Sequence, residues 1–167
     1  MVDMTTALGT ATLIGATLTT GLTAGLLYAF AHSVMPGLGT LDDPGYLTAF
    51  QRIDAAISNP WMGLAFLGSP VLTAASLVVD LVGDRAALPW LMAALVLIAA
   101  TVAITAAVHL PINAAVQEAA PAMAGAADLR TRFETRWVPW NVVRTVTSIA
   151  SAAALCAALV AAGRSAG

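Results

Sequence analysis

An all-α bundle of four transmembrane helices, with a short amphipathic helix at the interface between the first two, is the fold class this sequence predicts. Three observations carry that reading. Of the 167 residues, 59% are hydrophobic and only 10% charged, against the roughly 25% charged residues of soluble globular domains. The charged residues are also segregated: Asp, Glu, Lys and Arg are missing from residues 4–41, 55–79, 86–117 and 145–163. Each of these stretches holds a span of about 20 residues at about 1.5 Å per residue. Finally, Gly, Pro and Asn fall where helices of that length should begin or end.

The four helices are expected at 7–34, 60–82, 88–116 and 139–162, within a single transmembrane domain covering 1–167. Pro36 and Gly37 end the first. Asn59-Pro60 starts the second, with Asn59 as the N-cap and proline at the first helical position, where a missing N–H costs nothing. Pro139 is expected to start the fourth helix in the same way. Pro70 and Pro111 fall inside spans, where kinks are expected. The run 46–57 reads as an interfacial amphipathic helix, because Phe50, Ile53 and Ile57 share a face. The interiors are rich in Ala, Gly, Ser and Thr. Gly21 and Gly25, four residues apart, have the spacing that lets membrane helices approach, within one bundle or against a neighbouring copy. An oligomer is therefore compatible with the sequence.

Ala29-Phe30-Ala31 has the small-x-small look of a cleavage site. The residues before it carry Asp3 and no basic side chain, and the apolar run is longer than a signal core of about 7–15 residues. The first helix is expected to stay in the mature protein. The formal net charge is -2, with seven arginines and no lysine, which argues against a nucleic-acid-binding tail. The single Cys156 lies in an apolar run and reads as a small core residue.

With four spans, both termini and the turn at 80–85 share one face. The connections 35–59 and 118–137 share the other, which carries Arg52, Arg130, Arg132 and Arg136, with Arg144 one turn inside. The first face has only Arg85 and Arg164. The positive-inside rule places the richer face in the cytoplasm and both termini outside the cytoplasmic membrane. Arg130, Arg132 and Glu134 read as a solvated loop surface.

Polar side chains converge on that same end: His32 from helix one, Asn59 from helix two, His109 and Asn113 from helix three, and Asn141 and Arg144 from helix four. His109 and Asn113 are one turn apart, and Asn141, Arg144 and Ser148 follow a three-then-four spacing, so each set shares a helix face. Ionisable groups inside a span are expensive unless they meet a partner or a wet cavity, which singles out His109 and Arg144. The plainer readings are that His109 caps helix three and that Arg144 pairs with Asp54 or Glu118 or snorkels to the interface. Trp137 and Trp140 read as interfacial belt residues, or as walls of an aromatic pocket. His32, His109, Asp54 and Glu118 contain enough ligands for a two-histidine-one-carboxylate metal site. No zinc, phosphate-loop, dinucleotide or nucleophile-elbow motif is present.

Three segments resemble the anthrone oxygenase-like family of small four-helix membrane proteins, most of which are catalogued as a domain of unknown function. They are Phe50-Gln51-Arg52-Ile53-Asp54 through Asn59-Pro60, His109-Leu110-Pro111-Ile112-Asn113, and Trp137-Val138-Pro139-Trp140-Asn141-Val142-Val143-Arg144-Thr145. The resemblance implies oxidation of an electron-rich aromatic or polyketide-type substrate by dioxygen, without an organic cofactor. His109 would be the general base and Arg144 the stabiliser of the anion. Gln51, Asn59, Asn113 and Asn141 would hold oxygen substituents or the base, and Trp140 would stack on the rings. The partners would be a small hydrophobic aromatic substrate, dioxygen and membrane lipid. Two other readings stand beside it: a non-catalytic membrane subunit binding a lipid, quinone or partner protein through the polar end, and a metal-dependent membrane oxidase.

Overall fold

The computed structural model describes residues 4–83, 85–119 and 125–165. Asp3 and residues 120–124 of the second polar connection lie outside them. Among the described residues the chain is helical throughout, with no strand. The order is α1 (Met4–Ala29), a π-helical turn (Phe30–Val34), α2 (Met35–Leu38), α3 (Asp43–Ile57), α4 (Pro60–Val82), α5 (Leu88–Ile104), a second π turn (Thr105–His109), α6 (Leu110–Gln117) and α7 (Ala126–Ser165). Four helical stretches are long and apolar enough to cross a bilayer: Thr6–Leu38, Pro60–Val82, Leu88–Gln117 and Ala126–Ser165. The protein is a four-helix membrane bundle.

The prolines act differently from what their positions suggest. Pro36 does not end the first helix. Both π turns close two residues before a proline, at Val34 before Pro36 and at His109 before Pro111. Proline has no N–H to donate, and its ring collides with the carbonyl four residues back. A widened turn ahead of it lets the helix continue, and here it carries the chain through both prolines without leaving the helix. Each widened turn also contains one of the two histidines.

Pro139 does not start the fourth helix either; it lies well inside the 40-residue α7. Leu129, Phe133 and Trp137 recur every four residues, which gives this stretch an apolar face, and Phe133 and Trp137 are buried. That face packs on α3 in an aromatic cluster with Tyr46 and Phe50. Phe50 meets Phe133 edge-on at 4.5 Å and Trp137 at 5.9 Å. Residues read as a solvated loop are therefore a helix. Arg130 is its anchor: it bonds Asp43 Oδ1 (3.0 Å), the Leu41 carbonyl (2.9 Å) and the Gly39 carbonyl (3.2 Å), and it lies 4.4 Å over the Tyr46 ring. One guanidinium thus ties down the α2–α3 turn.

The interfacial helix α3 begins three residues earlier than the apolar periodicity indicates. Asp42 caps it by accepting from the Gly45 amide at 3.0 Å, and Asp42 and Pro44 supply the start signal. A Cβ at Gly45 would sit 2.5 Å from the cap oxygen. Asn59 caps α4 as expected, accepting from the Met62 amide at 3.0 Å.

Inside the bundle, Thr23 and Ser69 bond across α1 and α4 at 3.3 Å, Thr101 and Thr147 across α5 and α7 at 2.8 Å, and Ser151 donates to the Ala94 carbonyl at 2.9 Å. Small hydroxyl residues allow close approach and add hydrogen bonds where lipid offers none. The glycines that permit the α1–α4 approach are Gly9, Gly15 and Gly68, at each of which a Cβ would lie 3.1 Å from a side chain of the facing helix. Gly21 and Gly25 are exposed, with no atom within 4 Å of a Cβ position. Cys156 is likewise exposed on the bundle surface, not in the core.

Two predictions follow from this packing. Replacing Gly68 by Val should push α1 from α4 and cost about 1–3 kcal/mol, seen as a lower melting temperature in detergent, while Gly21→Val should leave it unchanged or raised. Tyr46 outside the spans has its phenol pKa raised, first by burial and then by the charge of Glu134. The unfolded chain therefore loses this proton at lower pH than the folded one, so stability should fall as pH rises above the ordinary tyrosine value of 10.0. Melting curves across that range should show the loss, and Tyr46→Phe should remove most of it in a chain without lysine.

Candidate functional site

Where the aromatic cluster meets the spans, the bundle forms a partly open cavity of about 530 Å3, within the size range of small-molecule sites. Every span contributes to its wall, through Leu27 and Phe30, Met62 and Phe66, His109 and Asn113, and Trp137 and Arg144, and α3 adds Phe50 and Asp54. The lining is apolar except for a few convergent polar groups.

Arg144 is 8% exposed. Its Nε donates to Asn141 Oδ1 at 3.0 Å and its Nη1 to Thr105 Oγ1 at 3.3 Å, and the guanidinium lies 5.3 Å from the centre of the Trp137 ring. No carboxylate lies within ion-pairing distance among the described residues; the ion pairs there include Arg130 with Asp43 and Glu134. The charge is therefore held by neutral acceptors and a π face, and the side chain forms part of the cavity wall. Asp54, on the same cavity wall, acts on this charge only from beyond ion-pairing distance, and a buried cation compensated in that way favours an anionic guest.

His109 is 1% exposed and stands edge-on to Trp137 with ring centres 5.1 Å apart. Its Nδ1 faces the Ile104 carbonyl at 3.5 Å, the oxygen at the head of the π turn. With the ring proton on Nδ1 this carbonyl accepts it, and a lone pair is then left on Nε2. That atom is buried and has no hydrogen-bond partner among the described residues.

Asn113 ties the polar groups together. Its Nδ2 donates to Asp54 Oδ1 at 2.7 Å, and its Oδ1 accepts from Trp137 Nε1 at 2.9 Å. Gln117 Nε2 donates to the other oxygen of Asp54 at 2.9 Å. The chain Asp54–Asn113–Trp137 thus locks α3, α6 and α7 to one another and fixes the indole between His109 and Arg144.

Of the residues the sequence singles out, His109, Arg144, Asn113 and Asn59 line the cavity. Asn59 does so while its side chain caps α4 and donates to the Ala56 carbonyl at 2.8 Å. Asn141 stands behind the wall: it is 1% exposed, holds Arg144 and reaches the Leu27 carbonyl at 3.4 Å. Gln51 is not brought to the cavity. Its amide nitrogen donates to the Val116 and Ala119 carbonyls at 2.6 and 2.9 Å, pinning α3 to the end of α6. Trp140 is 41% exposed and faces outward, as a belt residue does. The buried ring is Trp137, because the 129–133–137 stripe sets which side of α7 meets α3.

The tentative ligand set His32, His109, Asp54 and Glu118 does not assemble. Among the described residues no three His, Cys, Asp or Glu side chains come together as metal ligands. His32 is exposed, bonded to Ser33 at 2.6 Å and packed on Tyr28 with ring centres 4.2 Å apart. Glu118 is exposed at the end of α6, while the Asp54 oxygens are taken by Asn113 and Gln117. The residues that sequence reasoning undervalued are Trp137 and Thr105, together with Asp54 as an organising carboxylate. The four-residue stripe on α7 was the available signal for Trp137; nothing local marks Thr105.

The family model for anthrone oxygenase matches residues 60–154, more than half of the chain. The chain belongs to the anthrone oxygenase family. The match runs from the start of α4 into the last third of α7, so His109, Asn113, Trp137, Asn141 and Arg144 fall inside it. Asp54 and the rest of α3 lie before it, although the resemblance read from the sequence reached Phe50. No curated protein and no solved structure was found to match this member of the family.

Asn113→Leu should strand Trp137 Nε1 and one oxygen of Asp54. The expected cost is about 1–3 kcal/mol, read as a drop in melting temperature with a change in tryptophan emission. Gln117→Leu, which removes one exposed bond to the same carboxylate, should cost less.

Proposed function

We propose that the protein is a membrane-embedded oxygenase that uses dioxygen to oxidise a flat, electron-rich aromatic of the anthrone type at this cavity, without an organic cofactor or metal. The observation that carries the reading is the pairing of two buried groups on one apolar wall: a histidine whose Nε2 has no hydrogen-bond partner among the described residues, and an arginine with no carboxylate in ion-pairing distance among them. Family membership supports an oxygenase-like role.

The chemistry such a pair supports is limited and balanced. His109 Nε2 takes a proton from the activated methylene, whose anion delocalises over the rings and onto their oxygen substituents. Arg144, held in place by Asn141 and Thr105, stabilises that negative charge. The electron-rich anion passes an electron to dioxygen, and recombination of the two forms a carbon–oxygen bond. The imidazolium returns its proton to the resulting peroxide. Loss of the second methylene proton with cleavage of the O–O bond gives the carbonyl and water, so one oxygen atom enters the product and the other leaves as water. No external reductant is needed. Phe30, Phe50 and Phe66 in the apolar lining supply contact for the flat rings, while Trp137, fixed by Asn113, backs the Arg144 guanidinium.

We place the cavity end of the bundle on the cytoplasmic side, from Arg52, Arg132 and Arg136 at that end against Arg85 and Arg164 at the other.

The test is dioxygen consumption with product mass spectrometry by detergent-purified protein given emodin anthrone, beside metal analysis and a chelator control. Turnover above the spontaneous rate, insensitive to chelator, is expected. His109→Gln should lower it by about 10²–10⁴-fold, and Arg144→Ala by about 10²–10³-fold. Wild-type rates in the His109 variant would remove histidine from the base role, and rates that track bound metal would overturn the metal-free reading.

A further inference from the structure

The wall of the cavity is incomplete on one side. Helix α4 packs mainly along α1 and also against α5, with at most slight contact to the second π turn and α6. Leu67 on α4 and Leu110 on α6 line the cavity and are also 62% and 58% exposed on the outside of the bundle. Residues that do both mark a mouth. Gly63, one turn before Leu67 on α4, also lines the cavity, and no atom of a neighbouring element lies within 4 Å of a Cβ position there. The rim continues in Met62 and Phe66, which are apolar.

The depth of this mouth follows from the helix geometry. Asn59 marks the polar end of α4, and Leu67 is eight residues on, about 12 Å further along the axis at about 1.5 Å per residue. Trp61, 81% exposed, sits near the start in the position of an interfacial belt residue. The mouth therefore runs from headgroup level into the hydrocarbon, bordered by exposed Leu64, Leu67 and Leu110.

We infer that this gap is a lateral portal through which a flat apolar ring compound dissolved in the bilayer reaches the cavity, with Gly63 keeping the passage open. An apolar ring that arrives from lipid slides along Met62, Phe66 and Leu67 and meets His109, Trp137 and Arg144 only at the inner end. The inference rests on the reading that the cavity accepts such rings, but not on turnover.

The experiment uses the full chain in phosphatidylcholine nanodiscs with Trp61, Trp90 and Trp140 replaced by Phe, so that Trp137 alone reports from the cavity wall. The probes are anthraquinone dissolved in the lipid and its sulfonate confined to water. Anthraquinone should quench Trp137 strongly and the sulfonate only weakly. Gly63→Phe should reduce the lipid-borne quenching several-fold, while Gly21→Phe on the exposed face of α1 should leave it unchanged. Equal quenching by the sulfonate, or undiminished quenching in folded Gly63→Phe protein, would overturn the portal. Should Gly63→Phe fail to fold, the comparison of the two probes on the Gly63 protein decides alone. Lateral quenching without anthrone turnover would sustain the portal and sink the oxygenase reading.

Discussion

The site is organised around one constraint: a guanidinium held inside a membrane bundle with no carboxylate in ion-pairing range among the described residues. An isolated buried charge is expensive, and removing water from it without compensation would unfold the region. Arg144 is instead compensated by Asn141, Thr105 and the face of Trp137. Each of these needs a partner of its own in place. Asn141 must sit one turn earlier on α7, Thr105 must be delivered by the π turn, and Trp137 must be pinned by Asn113. The geometry of three helices thus follows from where one charge is stored.

The polar face of the protein serves the same end. Arg130 and Gln51 do not line the cavity, yet they fix the interfacial helix whose Phe50 and Asp54 close its wall. Asp54 in turn holds Asn113, and Asn113 holds the indole. A cavity made only of lipid-facing helices would have no such lid, since every backbone and side-chain polar group at that depth must be satisfied within the protein. The division between stabilising and reactive groups is visible in the bonding. Gln51, Asn59 and Asn141 make bonds to the protein's own backbone or side chains, whereas His109 Nε2 has no hydrogen-bond partner among the described residues.

The two π turns show how a helix-breaking residue becomes a site-building one. Pro36 and Pro111 deny a hydrogen bond to the preceding turn, and the chain responds by widening, not by stopping. In the third span the widened turn ends on His109, which lines the cavity. In the first span the same device leaves His32 outside, against Tyr28. The two histidines have opposite fates because they occupy different places in their widened turns: His32 is mid-turn, well ahead of Pro36, and His109 closes its turn just ahead of Leu110 and Pro111.

How much was legible in the sequence follows from the kind of physics involved. Charge-free stretches of span length, the Asn59-Pro60 cap and the periodicity of Phe50, Ile53 and Ile57 are local signals, and they determined the membrane class, the four helices and the interfacial helix. The inward turn of His109, Asn113, Asn141 and Arg144 was equally legible, because lipid penalises the opposite orientation. The start of α7 was not, since Pro139 gave a local signal that the packing of Leu129, Phe133 and Trp137 on α3 overrode. Nor was the choice of Trp137 over Trp140, the outward fate of His32, or the employment of Gln51 away from the cavity. Those depend on helix rotation and register between elements distant in the chain, and only the tertiary structure, by bringing α3, α6 and α7 together around Arg144, decided them.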